Sequence, residues 1–124
     1  MAVTVAGMDT LRASGIAHLV NAVFTILAWS LLLPLPLELA VWTVTAGVLV
    51  VLAARRELPI TMQACNWLVA LGLGVGVGSW AFVLLRYSPS DPVINITGVL
   101  APVAAAVVSL VAVMWWALSA TRRR

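Results

Sequence analysis

Long apolar runs, separated by short stretches that contain proline or charge, dominate the chain. Each run has about 18 residues or more, which lets a helix cross roughly 30 Å of hydrocarbon. Pro34 and Pro36 end the first run, and Arg55-Arg56-Glu57 ends the second. The pattern therefore predicts four transmembrane helices, at about residues 11–33, 37–54, 59–85 and 92–118, followed by a charged tail at 119–124.

Capping residues indicate where two of these helices begin. Asp9 or Thr10 is positioned to cap the first helix. Before the fourth helix, Ser90 or Asp91 is the expected cap, and Pro92 is expected at the first helical position. Because short loops keep consecutive helices adjacent and antiparallel, residues 1–124 are predicted to form one all-α domain, a compact bundle of four transmembrane helices.

The third apolar run contains four regularly spaced glycines. On an α-helix they divide into the pairs Gly72/Gly76 and Gly74/Gly78, which lie on opposite faces. The same alternation would suit a β-strand, but a lone strand in lipid leaves its backbone groups unpaired, so a helix is predicted. Each glycine pair lets a neighbouring helix approach closely. We therefore expect the third helix to lie in the middle of the bundle, unless one groove faces a second copy or a foreign subunit.

Small residues also form packing seams on the second and fourth helices. Gly47 lies in the seam of the second helix, and Gly98 and Ala105 lie in that of the fourth. Ser109 continues the fourth seam as another small residue. Pro102 lies inside the fourth run and is expected to kink that helix.

The first helix carries four polar side chains with spacings of four, three and four residues, so they share one stripe. Two further polar side chains begin the third helix at about the same depth. Polar groups inside a span usually face the bundle interior or a cavity. They are expected to serve mainly as interhelical hydrogen bonds; the alternatives are a polar pathway or an interface with another subunit. The six candidates are Ser14, His18, Asn21, Thr25, Gln63 and Asn66.

Composition and charge support membrane insertion and give an orientation. The chain is 64% apolar and 9% charged, whereas soluble domains carry about 25% charged residues. The arginines flank the apolar runs, so the net charge of +3 indicates membrane anchoring rather than nucleic-acid binding. With the N-terminus inside, Arg86 is the only arginine expected outside. The prediction is a multi-pass protein of the cell (inner) membrane with both termini cytoplasmic, and the absence of lysine suggests a bacterial source.

The sequence offers few groups for catalysis or metal binding. Its four carboxylates, Asp9, Glu38, Glu57 and Asp91, all lie near predicted helix ends or turns. Because these carboxylates lie at helix ends or turns, none is expected to orient His18, the only histidine, as a general base. Cys65 is the only cysteine, and one histidine with one cysteine does not make a metal site. We therefore predict a protein that is not an enzyme, with no metal and no cofactor.

Abundant packing seams, together with the lack of a catalytic constellation, favour a structural role. The leading hypothesis is a non-catalytic accessory or assembly subunit of a larger membrane complex. The alternative is a homo-oligomeric channel, a holin-like pore or a small transporter that uses the polar stripe on the first helix. In either case the expected partners are the lipid bilayer and other membrane subunits or copies of the chain itself, with no nucleic acid.

Overall fold

A computed structural model describes the backbone of residues 5–55, 57–88 and 94–122, and the side chains of 9–55, 57–88 and 94–119. This part of the chain is helical, with no β-strand, which confirms the predicted all-α class. Each of the four helices is long and apolar enough to cross a membrane, as in a multi-pass membrane protein. They are α1 (Val5–Leu31), α2 (Leu35–Ala53), α3 (Ile60–Arg86) and α4 (Ile96–Arg122).

The start of α1 lies six residues before the predicted one. Asp9 and Thr10 are inside the helix, so the prediction that either caps it is wrong. No proline precedes them, and the apolar residues before them suit a helix. Instead, the Thr10 hydroxyl donates a hydrogen bond to a carboxylate oxygen of Glu57, 3.5 Å away in the α2–α3 connection. The helix ends before Leu32, whose φ of 52° lies in the left-handed region.

The start of α4 also differs from the prediction. Residues 94 and 95 are not helical, so the predicted start at position 92 is four residues too early. The proposed caps at 90 and 91, and the proline at 92, lie outside the described residues. Asn95 fills the capping role, because its Oδ1 accepts hydrogen bonds from the Gly98 backbone N–H at 2.9 Å and from the Ser79 hydroxyl at 2.7 Å.

Helix α3 packs against α2 on one side and α4 on the other, as expected for a central helix. Helix α1 packs mainly against α4, less against α2, and only slightly against α3. The core between the helices is apolar and contains Trp42, Leu49, Val69, Ala70, Leu73 and Ala105. A second apolar cluster, nearer the α2–α3 connection, contains Leu11, Leu58, Met62, Cys65 and Ala112.

One of the two glycine grooves on α3 is filled by α4. A Cβ at Gly72 would lie 3.1 Å from the Ala105 Cβ and 3.2 Å from the Ala101 carbonyl oxygen. At Gly76 a Cβ would lie 2.7 Å from the Pro102 Cγ. Since these distances leave no room for a side chain, the two glycines are what allow α3 and α4 to approach so closely.

The other groove is open. A Cβ at Gly74 or Gly78 would have no described neighbour within 4 Å, and both glycines are exposed. The same holds for Gly47 on α2. The third helix is therefore central with respect to α2 and α4, but among the described residues only its Gly72/Gly76 face packs closely against another helix.

The two grooves should respond differently to added bulk. We expect Gly76→Leu to lower the free energy of unfolding by about 1–3 kcal/mol or more, because the new side chain meets Pro102. The matched control is Gly78→Leu on the same helix, where the change should stay within about 0.5 kcal/mol. Unfolding in mixed micelles, titrated with sodium dodecyl sulfate, measures both. Equal losses for the two variants would contradict this packing.

Candidate functional site

The polar stripe of α1 lies inside the bundle. All four of its side chains are at most 4% exposed, and so are two polar side chains from the facing helices α3 and α4. Six buried polar side chains from three helices thus form one polar region inside the bundle. They are Ser14, His18, Asn21 and Thr25 from α1, Asn66 from α3 and Ser109 from α4.

His18 is at the centre of this region and bonds to two helices at once. Its Nε2 lies 2.7 Å from the Asn66 Oδ1, and its Nδ1 lies 3.0 Å from the Ser109 Oγ. Because Oδ1 is only an acceptor, Nε2 must carry a hydrogen. In the neutral imidazole Nδ1 then accepts the hydroxyl hydrogen of Ser109. The neighbours of His18 therefore select one of its two neutral tautomers.

Two further hydrogen bonds extend this arrangement. The Asn21 Nδ2 donates to the Ser109 Oγ at 2.9 Å, and the Asn66 Nδ2 donates to the Ser14 Oγ at 3.1 Å. Each member thus donates to the next, in the order Asn21, Ser109, His18, Asn66 and Ser14. We call these five residues the polar chain. Its bonds tie α1 to both α3 and α4, although α1 and α3 otherwise have little contact.

The polar chain is incompletely satisfied at its Asn21 end. The Oδ1 of Asn21 is buried and has no hydrogen-bond partner among the described residues. The same is true of the Thr25 hydroxyl, one helical turn further along α1. Leaving a buried polar atom unpaired costs about 1–3 kcal/mol. At the other end of the polar chain, by contrast, the Ser14 hydroxyl oxygen has a partner, because it accepts a hydrogen bond from the Asn66 amide.

Most of the predicted polar candidates come together, with one exception and one addition. Gln63 does not join them: it is half-buried at the start of α3, where its Nε2 donates to the Arg55 carbonyl oxygen at 2.7 Å. It lies three positions nearer the start of α3 than Asn66, about one helical turn closer to the α2–α3 connection, and it bonds there instead. Ser109 was predicted only as a small residue in a seam. Its position as an isolated hydroxyl deep in an apolar helix was the available signal.

The polar chain joins three helices through buried hydrogen bonds. His18 is fully buried, and both of its ring nitrogens form hydrogen bonds. None of the five residues of the polar chain carries a carboxylate. Within the described part of the protein, no group of three histidine, cysteine or acidic side chains is placed to hold a metal ion. The sequence matches no protein-family model, and no curated protein or solved structure shows significant similarity to it.

The hydrogen bond between His18 and Asn66 should appear as a coupling energy. In a double-mutant cycle of His18→Ala and Asn66→Ala, we expect about 0.6–1.7 kcal/mol of coupling in the free energy of unfolding. The matched cycle pairs His18→Ala with Thr43→Ala, because the Thr43 hydroxyl bonds to the Leu39 carbonyl of its own helix. Coupling near zero is expected there. Similar values in the two cycles would contradict the proposed bond.

Proposed function

We propose that this protein is a non-catalytic subunit of a larger membrane complex, and that the α2–α3 face binds a transmembrane helix of another subunit. The observation that carries the proposal is the difference between the two glycine grooves. The Gly72/Gly76 groove is filled by α4, whereas a Cβ at Gly74 or Gly78 would meet no described atom within 4 Å. In lipid, close packing and not a hydrophobic drive brings helices together, so a small-residue groove favours association.

The surface around Gly74 has the shape that such a contact requires. A depression of about 360 Å³ lies between α2 and α3, with Gly74 and Ala70 among the residues that line it. Trp67 lies at the same depression and is 51% exposed. Large aromatic side chains next to a pocket are typical anchors of protein interfaces. Gly47, three residues from the lining residue Val50, extends the same side of α2.

The burial of the polar chain also favours a structural role over the alternative. A channel, a holin-like pore or a small transporter that used this stripe would need its side chains to meet water or a solute. In this bundle the four side chains of the stripe are at most 4% exposed, and three of them belong to the polar chain, whose five members bond to one another. Such bonds between buried polar side chains hold helices together.

For the orientation, we propose a cell (inner) membrane protein with both termini in the cytoplasm. The α2–α3 connection, which contains Arg55, lies at the end of the bundle where α1 begins and α4 ends. In the sequence, six of the seven arginines lie early in α1, between α2 and α3 or at the close of the sequence, whereas Arg86 ends α3. An excess of arginine marks the cytoplasmic side of a membrane protein.

Filling the open groove should disrupt assembly and spare the fold. We expect Gly74→Leu to unfold at nearly the wild-type detergent concentration but to lose about tenfold or more of any co-purified foreign subunit, equivalent to about 1.4 kcal/mol. The matched control is Leu68→Phe, which adds bulk to an exposed position on the same helix outside the depression. Purification in mild detergent with quantification of all subunits measures both. Wild-type protein that emerges as a homogeneous self-oligomer would favour the alternative function.

The orientation has a direct labelling test. In a background with Cys65→Ala, cysteine at Ser88 should react with an impermeant thiol reagent in intact cells, and cysteine at Glu57 should react only after permeabilisation. Ser88 follows α3, and Glu57 lies between α2 and α3, so the two positions report opposite ends of the bundle. Labelling of Glu57→Cys alone in intact cells would reverse the orientation.

A further inference from the structure

A pocket of about 340 Å³ lies at the end of the bundle where α1 and α3 finish and α2 and α4 begin. All four helices contribute to its lining. Three of the residues that line it are tryptophans, Trp29, Trp42 and Trp80, and one is acidic, Glu38. We call it the tryptophan pocket. It lies away from the Gly74 depression, with which it shares no lining residue.

The wall of this pocket is held by specific contacts. Glu38 and Trp42 are four residues apart on α2 and therefore lie on the same side of that helix. Across the pocket, the Trp80 Nε1 donates a hydrogen bond of 3.0 Å to the Gly98 carbonyl oxygen. A Cβ at Gly98 would lie 2.6 Å from that nitrogen, so only glycine lets the indole approach α4 this closely.

The charge in the pocket is unbalanced. Among the described side chains that line it, only Glu38 is ionisable. Arg86, the arginine described at this end of the bundle, does not line the pocket, and its guanidinium lies over the Phe82 ring at 5.8 Å from the centroid. The pocket thus holds a negative charge without a cation in its described lining.

We propose that the tryptophan pocket binds an organic ammonium ion that carries an apolar body. The Glu38 carboxylate supplies the opposite charge, and indole rings attract cations, quaternary ammonium groups in particular. The volume falls within the range of about 300–1,000 Å³ that is usual for small-molecule sites. A purely apolar occupant, such as an acyl chain, would leave the carboxylate without an opposite charge.

Two sources can supply this chemistry: a free lipophilic amine, or the ammonium headgroup of a phospholipid. The pocket lies at one end of the helices, the depth at which headgroups meet spanning helices. The proposal does not depend on the assembly role, because Gly74 lies outside this pocket. Gly74→Leu should therefore keep wild-type affinity for the probe, so the two proposals can fail separately.

The test is calorimetric titration of the purified full chain with benzyltriethylammonium in a maltoside detergent, which carries no ammonium group. We expect wild-type protein to bind this cation at least about tenfold more tightly than an uncharged analogue of the same shape, because the carboxylate interacts only with the cation. Glu38→Gln should weaken binding about tenfold or more. The matched control is Glu57→Gln, which removes the same charge outside the pocket and should leave the affinity unchanged.

A second variant and a competitor complete the experiment. Trp29→Leu should weaken binding about two- to fivefold, the range expected for one cation–π contact at an exposed site. This variant, and the comparison of charged and uncharged probes on wild-type protein, decide the matter if Glu38→Gln fails to fold. Displacement of the probe by short-chain phosphatidylcholine would assign the site to a lipid headgroup, and no displacement would assign it to a free amine. Equal affinity for the uncharged analogue, unchanged affinity of Glu38→Gln, or no binding to wild-type protein would overturn the proposal.

Discussion

The close contact between α3 and α4 is the interaction on which the other features depend. Gly72 and Gly76 remove two side chains from α3, and Ala105 and Pro102 of α4 occupy the space. A hydrophobic drive is weak between helices in lipid, so contact of this kind must hold them together. It also brings Asn66 of α3 and Ser109 of α4 within reach of one α1 residue, His18. The polar chain is thus built upon a helix pair that small residues bring together.

The polar chain then fixes α1, the helix with the least support from α3. Its hydrogen bonds have a single direction, because an amide oxygen accepts at one ring nitrogen of His18 and a hydroxyl donates at the other. Such directional bonds require one rotation and one depth of α1, whereas apolar contacts tolerate several. Packing therefore sets the distance between α3 and α4, and hydrogen bonding sets the register of α1 against these two helices. A rigid unit of this kind can present the open α2–α3 face proposed for assembly.

Much of this architecture could be predicted from the sequence because helical periodicity is local. Run lengths indicated four helices, and the spacing of the polar residues placed Ser14, His18 and Asn21 on one stripe. The partners could not be predicted in the same way, since Ser109 lies 91 positions from His18. Nor does the sequence distinguish the two glycine faces of α3, which have the same spacing; only the position of α4 does. The predicted start of α4 was wrong because Asn95, whose side chain accepts the Gly98 backbone N–H, caps the helix; Ser79 of α3 bonds to the same oxygen, and the sequence does not reveal that contact.

Pro102 has one more consequence, which joins the packing of the helices to the wall of the tryptophan pocket. A proline has no N–H, so within α4 it leaves the carbonyl oxygen four residues earlier without its helical donor. That carbonyl belongs to Gly98, and it is the group that accepts the indole N–H of Trp80. The ring that fills the space beside Gly76 thus also frees the acceptor that orients Trp80. Pro102 thus sets both the fit between α3 and α4 and the position of the Trp80 ring in the pocket wall. A substitution at this position would therefore alter the two together.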